Sequence, residues 1–153
     1  MQLRSLLTTF ESLVSWLQSP LLLGIRLYWG INFLLSGRGK FLHLQRTTDY
    51  FESLQIPAPK INAIITASTE CLGGALLALG LFARPTAVPL IIMLGVAYAT
   101  SEQEALHALT SDPNKFVTAD PFLFLFAAVI VLAFGPGKLS LDALFGKKPA
   151  SGS

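Results

Sequence analysis

Residues 61–82 read INAIITASTECLGGALLALGLF. A helix needs about 20 apolar residues to cross a hydrocarbon layer of ~30 Å, and this stretch supplies them. Its only formal charge is Glu70. A carboxylate at the centre of such a helix costs about 2.5–3.5 kcal/mol to insert, and it is kept where it faces a bundle interior or a wet cavity. The stretch therefore sets the fold class: all-α, an integral membrane four-helix bundle with a polar site inside it.

Three further apolar runs complete the bundle. They are residues 20–36, 85–100 and 121–134. The first and last are short for a bilayer. Pro20, Pro85 and Pro121 are expected in first turns, where a missing N–H costs nothing. Gly135-Pro136-Gly137 ends the fourth run. Composition agrees with a membrane domain. Of the 153 residues only 13% are charged, about half the share of a soluble domain. The net charge of +2 is too small to argue for nucleic acid. Cys71 is the only cysteine, which excludes a disulfide framework, a Cys-x-x-Cys redox pair and a thiolate metal cluster.

Residues 1–18 differ from the spans. Leu3, Leu6, Leu7, Phe10, Leu13, Val14 and Leu17 recur at helical spacing against a polar face. The pattern predicts an amphipathic interfacial helix with Trp16 at headgroup depth; a core helix packed on the bundle is the alternative. A signal peptide is not expected, because the stretch is polar and no small-residue cleavage site follows. The membrane domain then runs over 19–146, and 147–153 reads as a disordered tail. Between the first two spans, Phe41, Leu44, Thr48, Phe51 and Leu54 form a stripe, which predicts a short flat helix closed by Ile56-Pro57-Ala58-Pro59. Arg84 marks a tight helical hairpin. The 101–120 connection is polar. Four spans put both termini on one side. Basic residues tie between the two sides, so the positive-inside rule does not decide. Discounting Arg38 and Lys40 as members of a buried site puts the termini in the cytoplasm.

Several motifs in order now carry a resemblance. Arg26 lies in the first span, followed by Gly37-Arg38-Gly39-Lys40. Ile56-Pro57-Ala58-Pro59 comes next, then Glu70 in mid-span, then Gly80-Leu81-Phe82-Ala83-Arg84. Gly135-Pro136-Gly137-Lys138-Leu139-Ser140-Leu141-Asp142 closes the set. Over about residues 20–145 the chain resembles the DoxX family of small four-span prokaryotic membrane proteins. The resemblance implies a multi-pass protein of the prokaryotic cytoplasmic membrane. It also implies an association with the membrane subunits of a thiosulfate:quinone oxidoreductase, and hence with other protein subunits. Members often carry a Glu just before the fourth span; here Asp120 takes that position or nothing does.

The candidate site lies on two helix faces. The second span aligns Asn62, Thr66 and Glu70, then Gly73 and Gly74. The first aligns Tyr28, Asn32 and Ser36, with Arg26, Gly30, Phe33 and Gly37 on an adjacent face. Small residues let helices approach and polar side chains bridge them. Glu70 is the candidate proton-exchanging group, and Arg26, Lys40, Tyr28, Asn32 and Thr66 are candidate ligand-binding residues. Glu70 either pairs with Arg26 or leans toward Lys40 or Arg38. Side chains tilt toward their own helix N-terminus, which points Arg26 and Glu70 apart. A purely structural Glu70, fixing helix register, is the competing reading. His43 and His107 fall in different loops, no Glu-x-x-His pair is present, and no phosphate or dinucleotide loop occurs. The expectation is no metal and no tightly bound cofactor, with a diffusible quinone as the ligand. Two main functions fit: a quinone-facing membrane subunit of a respiratory-type oxidoreductase, or a non-catalytic accessory or anchoring subunit. A small-molecule or lipid transporter is weaker, since no inverted repeat or broken helix is evident.

Overall fold

The computed structural model describes residues 2–146. It contains eight helices among these residues: α1 (Gln2–Leu42), α2 (Leu44–Ser53), α3 (Pro59–Leu79), α4 (Ala83–Thr100), α5 (Gln103–His107), α6 (Pro113–Thr118), α7 (Pro121–Phe134) and α8 (Leu141–Phe145). The long helices α1, α3, α4 and α7 close a ring, α1 on α3, α3 on α4, α4 on α7 and α7 back on α1. This is a helical bundle of the membrane type. Helices α3 and α4 are long and apolar enough to cross a bilayer, and α7 is apolar but shorter. Large apolar side chains such as Ile31, Leu35, Leu72, Leu123 and Phe126 face outward, which a lipid surround accommodates and water does not.

Helix α1 differs from expectation at Pro20. The helix runs through it without a break, so Pro20 is an interior residue and not a first-turn one. The lost N–H bond is tolerated because membrane helices re-satisfy the freed carbonyl locally. At 1.5 Å per residue, α1 is about 60 Å long, roughly twice the hydrocarbon thickness. The expected N-terminal helix and first span are thus one continuous helix. The side chains that carry the apolar stripe of residues 3–13 lie outside the described residues, as does the 147–153 tail.

Glycine sets the α1–α3 contact. A Cβ on Gly30 would fall 2.7 Å from Ala78 N and 2.8 Å from Gly74 O. One on Gly74 would fall 2.6 Å from Gly30 O, and one on Gly37 would fall 2.7 Å from Ala67 O. The two backbones touch along an antiparallel seam, as small residues at membrane helix interfaces allow. This seam fixes the register that brings Lys40 opposite Glu70. Phe33, Leu77, Leu90, Leu94 and Val131 fill the core. Trp29 and Phe33 of α1 meet Phe124 of α7 edge-on, with ring centres 4.8 and 4.7 Å apart.

The far end of the bundle is closed by the segment after α7. Gly80 ends α3 with φ +66°, and Leu81 N returns to Leu76 O at 3.0 Å, a glycine C-cap that needs the left-handed region. Asp142 then caps the start of α4. Its two carboxylate oxygens accept from Phe82 N at 2.7 Å and Ala83 N at 3.0 Å. Its own N–H donates to Gly80 O at 2.9 Å. Ser140 caps α8 by accepting from Ala143 N at 3.1 Å.

Candidate functional site

Glu70 stands near the middle of α3 and is only 7% exposed. Its Oε2 accepts from Lys40 Nζ at 2.6 Å, and the same ammonium donates to Ser36 Oγ at 2.8 Å. Of the partners open to Glu70, the structure pairs it with Lys40. Lys40 reaches back one turn along α1, past Ser36, to meet it. An ion pair inside an apolar bundle persists when both charges find partners. Here Lys40 has two and retains a third donor.

The pair borders an open cavity of about 630 Å³ lined by α1, α2, α3, α4 and α7. Its polar groups are Ser36, Lys40, Asn62, Thr66, Thr69 and Glu70 on the α1–α3 side, with Thr100, Ser101 and Asp120 across from them. Its apolar walls include Ile65, Ile92, Met93, Leu94 and Phe124. Helix α2 and its exit segment contribute Tyr50, Phe51, Leu54 and Ile56. Asn62 is held at the helix start by donating to Pro57 O at 2.6 Å. Gln55 (φ 57°) and Ala58 (φ 46°) occupy the left-handed region on either side of Pro57. That turn swings α2 back over α3, where it forms part of the cavity wall.

The six expected site residues divide. Glu70, Lys40 and Thr66 meet in the cavity. Arg26, Tyr28 and Asn32 lie elsewhere. Arg26 is 0% exposed and points toward the opposite end. It donates to Ala78 O at 3.4 Å and Leu139 O at 2.5 Å, and its Nε has no partner. Fourteen residues separate it from Lys40 along α1, about 21 Å at helical rise. Arg26 therefore satisfies the Ala78 carbonyl near the end of α3 and ties the segment that starts at Leu139 to the bundle; it does not meet Glu70. Tyr28 is exposed and packs edge-on against Trp29 at 4.9 Å. Asn32 donates to Tyr28 O at 2.7 Å, one turn back on its own helix.

Sequence reasoning left Thr69, Tyr50, Ser101 and Asp120 out of the site. Thr69 had a usable signal, since it shares the Thr66–Glu70 face at i+3 spacing. Tyr50 and Phe51 gave only an amphipathic stripe, which reads equally as packing. Among the described residues, no three His, Cys, Asp or Glu side chains gather where a metal ion could sit. Away from the cavity, Lys115 donates to Glu104 at 2.6 Å and joins α6 to α5. That hydrogen bond, with the lysine charge, lowers the Glu104 carboxyl from its ordinary range, and Glu104 raises Lys115 in return. Both are solvated, so the pair adds little stability.

A family model described as DoxX matches residues 21–103. The Mycobacterium tuberculosis protein named uncharacterized membrane protein Rv3486 is 31% identical over 141 residues, covering 84% of this chain and 83% of its own length. Inner membrane protein YphA of Escherichia coli is 31% identical over 123 residues, covering 80% of this chain and 88% of its own. No solved structure matches the chain.

Proposed function

This chain belongs to the DoxX family of membrane proteins, and from that premise we propose that it is a membrane subunit of an oxidoreductase, presenting a quinone-binding cavity at Glu70. The observation that supports the reading most is the cavity itself. It has apolar walls, a volume of about 630 Å³ and a buried ion pair at its polar edge. Ligand pockets are commonly ~300–1,000 Å³, mostly apolar, with a few convergent polar groups. A quinone ring and the first part of its tail fit that description, with acceptor oxygens for Lys40 and the Thr66 and Thr69 hydroxyls.

When bound, a quinone supplies two-electron, two-proton redox chemistry. The chain's own residues have three tasks. Lys40 uses its third N–H to hold a ligand oxygen and to offset developing negative charge. Glu70 holds the ammonium in place through Oε2, and its other oxygen is left to exchange a proton. Asp120, exposed at the α7 start and lining the same cavity, gives protons a route from water. Electrons enter from a partner subunit.

Binding of a quinone analogue to the purified chain tests this. Wild type should bind, and Lys40→Met should bind at least about tenfold more weakly, since losing a charge-assisted bond costs about 1.5–3 kcal/mol. No binding to wild type, alone or with its partners, would remove the quinone site and leave an accessory or anchoring role.

The same reading places four crossings in the cytoplasmic membrane, with both ends of the chain in the cytoplasm. Reporters fused at Met1 and after Ser153 should signal from the same side, and one inserted at Asp112 from the other. Opposite signals from the two ends would mean an odd number of crossings and would end the four-span topology.

A further inference from the structure

Lys40 borders two spaces. Besides the inner cavity it lines a groove of about 300 Å³ beside α2, together with Arg46, Thr47, Tyr50 and Phe51. We infer that this groove binds the phosphate of an anionic membrane lipid. The inference needs only the groove and stands independently of the quinone reading.

The groove gathers what a phosphate diester requires. Two cations face it from different helices, Lys40 from α1 and Arg46 from α2. Arg46 is exposed and enters no ion pair among the described residues. A guanidinium fork suits two phosphate oxygens at once. Glu70 is engaged with Lys40, and Asp49 accepts from Gln45 Nε2 at 2.8 Å. Two of the three Lys40 protons go to Ser36 and Glu70, so one remains for an outside oxygen.

Position favours a lipid over free phosphate. The groove lies where α1 ends at Leu42 and the chain turns into α2, a helix with no buried residue. Phe41 and Leu42 at the end of α1 are exposed. Exposed apolar side chains next to cations at a membrane helix end match the level of lipid headgroups, with acyl chains alongside. Because Lys40 serves both spaces, a phosphate in the groove and a ligand oxygen in the cavity compete for its one remaining proton. Occupancy of the groove and of the cavity is then linked, and by thermodynamic necessity the linkage is reciprocal.

The test is lipid retention by the full chain. Protein purified in detergent containing equal phosphatidylglycerol and phosphatidylcholine is examined by native mass spectrometry. Wild type should retain phosphatidylglycerol in preference to phosphatidylcholine. Arg46→Ala should lower phosphatidylglycerol retention about fivefold, the effect of one basic residue near an anionic headgroup. Arg46→Lys should fall between, because a point charge replaces a fork. Arg84→Ala, which removes an exposed cation at the opposite end, should retain as much as wild type. Equal retention of the two lipids, or an Arg46→Ala protein that retains as wild type does, overturns the proposal. Inorganic phosphate binding to lipid-free protein as tightly as phosphatidylglycerol does would overturn the lipid as occupant.

Discussion

Arg26→Ala is expected to destabilise the bundle by about 3–5 kcal/mol, a drop in Tm of at least about 6 °C at this chain length. The side chain is fully buried, and its removal has three consequences. Ala78 O and Leu139 O lose their donor, at about 1–3 kcal/mol for each buried acceptor left unpaired. The space of the aliphatic stem opens as a cavity. Against these stands relief of the unpartnered Nε, worth about as much as one orphaned acceptor. The losses are larger. Arg26→Met refills the space without the two bonds and should fall between. Thermal unfolding in detergent measures both. A quinone analogue should still bind Arg26→Met at low temperature, since the cavity lies about 21 Å away along α1. An Arg26→Ala protein melting within 2 °C of wild type would mean that the two carbonyls find other donors.

Lys40→Met is expected to cost about 2–4 kcal/mol. Removing one member of a buried pair leaves the other charge without compensation, at about 3–5 kcal/mol. The lower figure reflects a Lys40 side chain that is 26% exposed. Adding Glu70→Gln should restore most of that stability, because a neutral amide needs no counter-charge. The double variant should nevertheless bind the quinone analogue as weakly as the worse single one. Stability and binding thus separate, which a purely structural pair would not produce. Strictly additive stability losses would show that the 2.6 Å contact carries no energy in the membrane.

Helix positions were largely legible in the sequence. The fourth run ends where α7 ends, at Phe134, and the second and third differ from α3 and α4 by a few terminal residues. The stripe after the first span became α2. Hydropathy and periodicity carry that information because they are one-dimensional. What they do not carry is rotation and register between helices. Arg26 and Glu70 both stood out as charges in apolar runs that side-chain tilt points apart, and the Gly30–Gly74 and Gly37–Ala67 contacts set the register that gives Glu70 to Lys40. Tyr28, Asn32 and Ser36 share a face in the sequence, yet only Ser36 reaches the cavity. Pro20 reads as a helix start by local rule, and the long α1 overrides it. Asp120 stood alone as a departure from a family pattern; the ring of four helices puts it across the same cavity from Glu70.

The closure of the far end also bears on how the chain is made. The acceptor that completes Arg26, Leu139 O, lies 113 residues later. At ribosomal speeds of roughly 5–20 residues per second, on the order of 6–23 seconds pass before it exists. During that interval the first helix carries a guanidinium whose final partner has not been synthesised. Arrival of Leu139–Asp142 ends this wait, seating Arg26 and capping α4. The order of assembly is therefore written into the molecule: helices first, lock last.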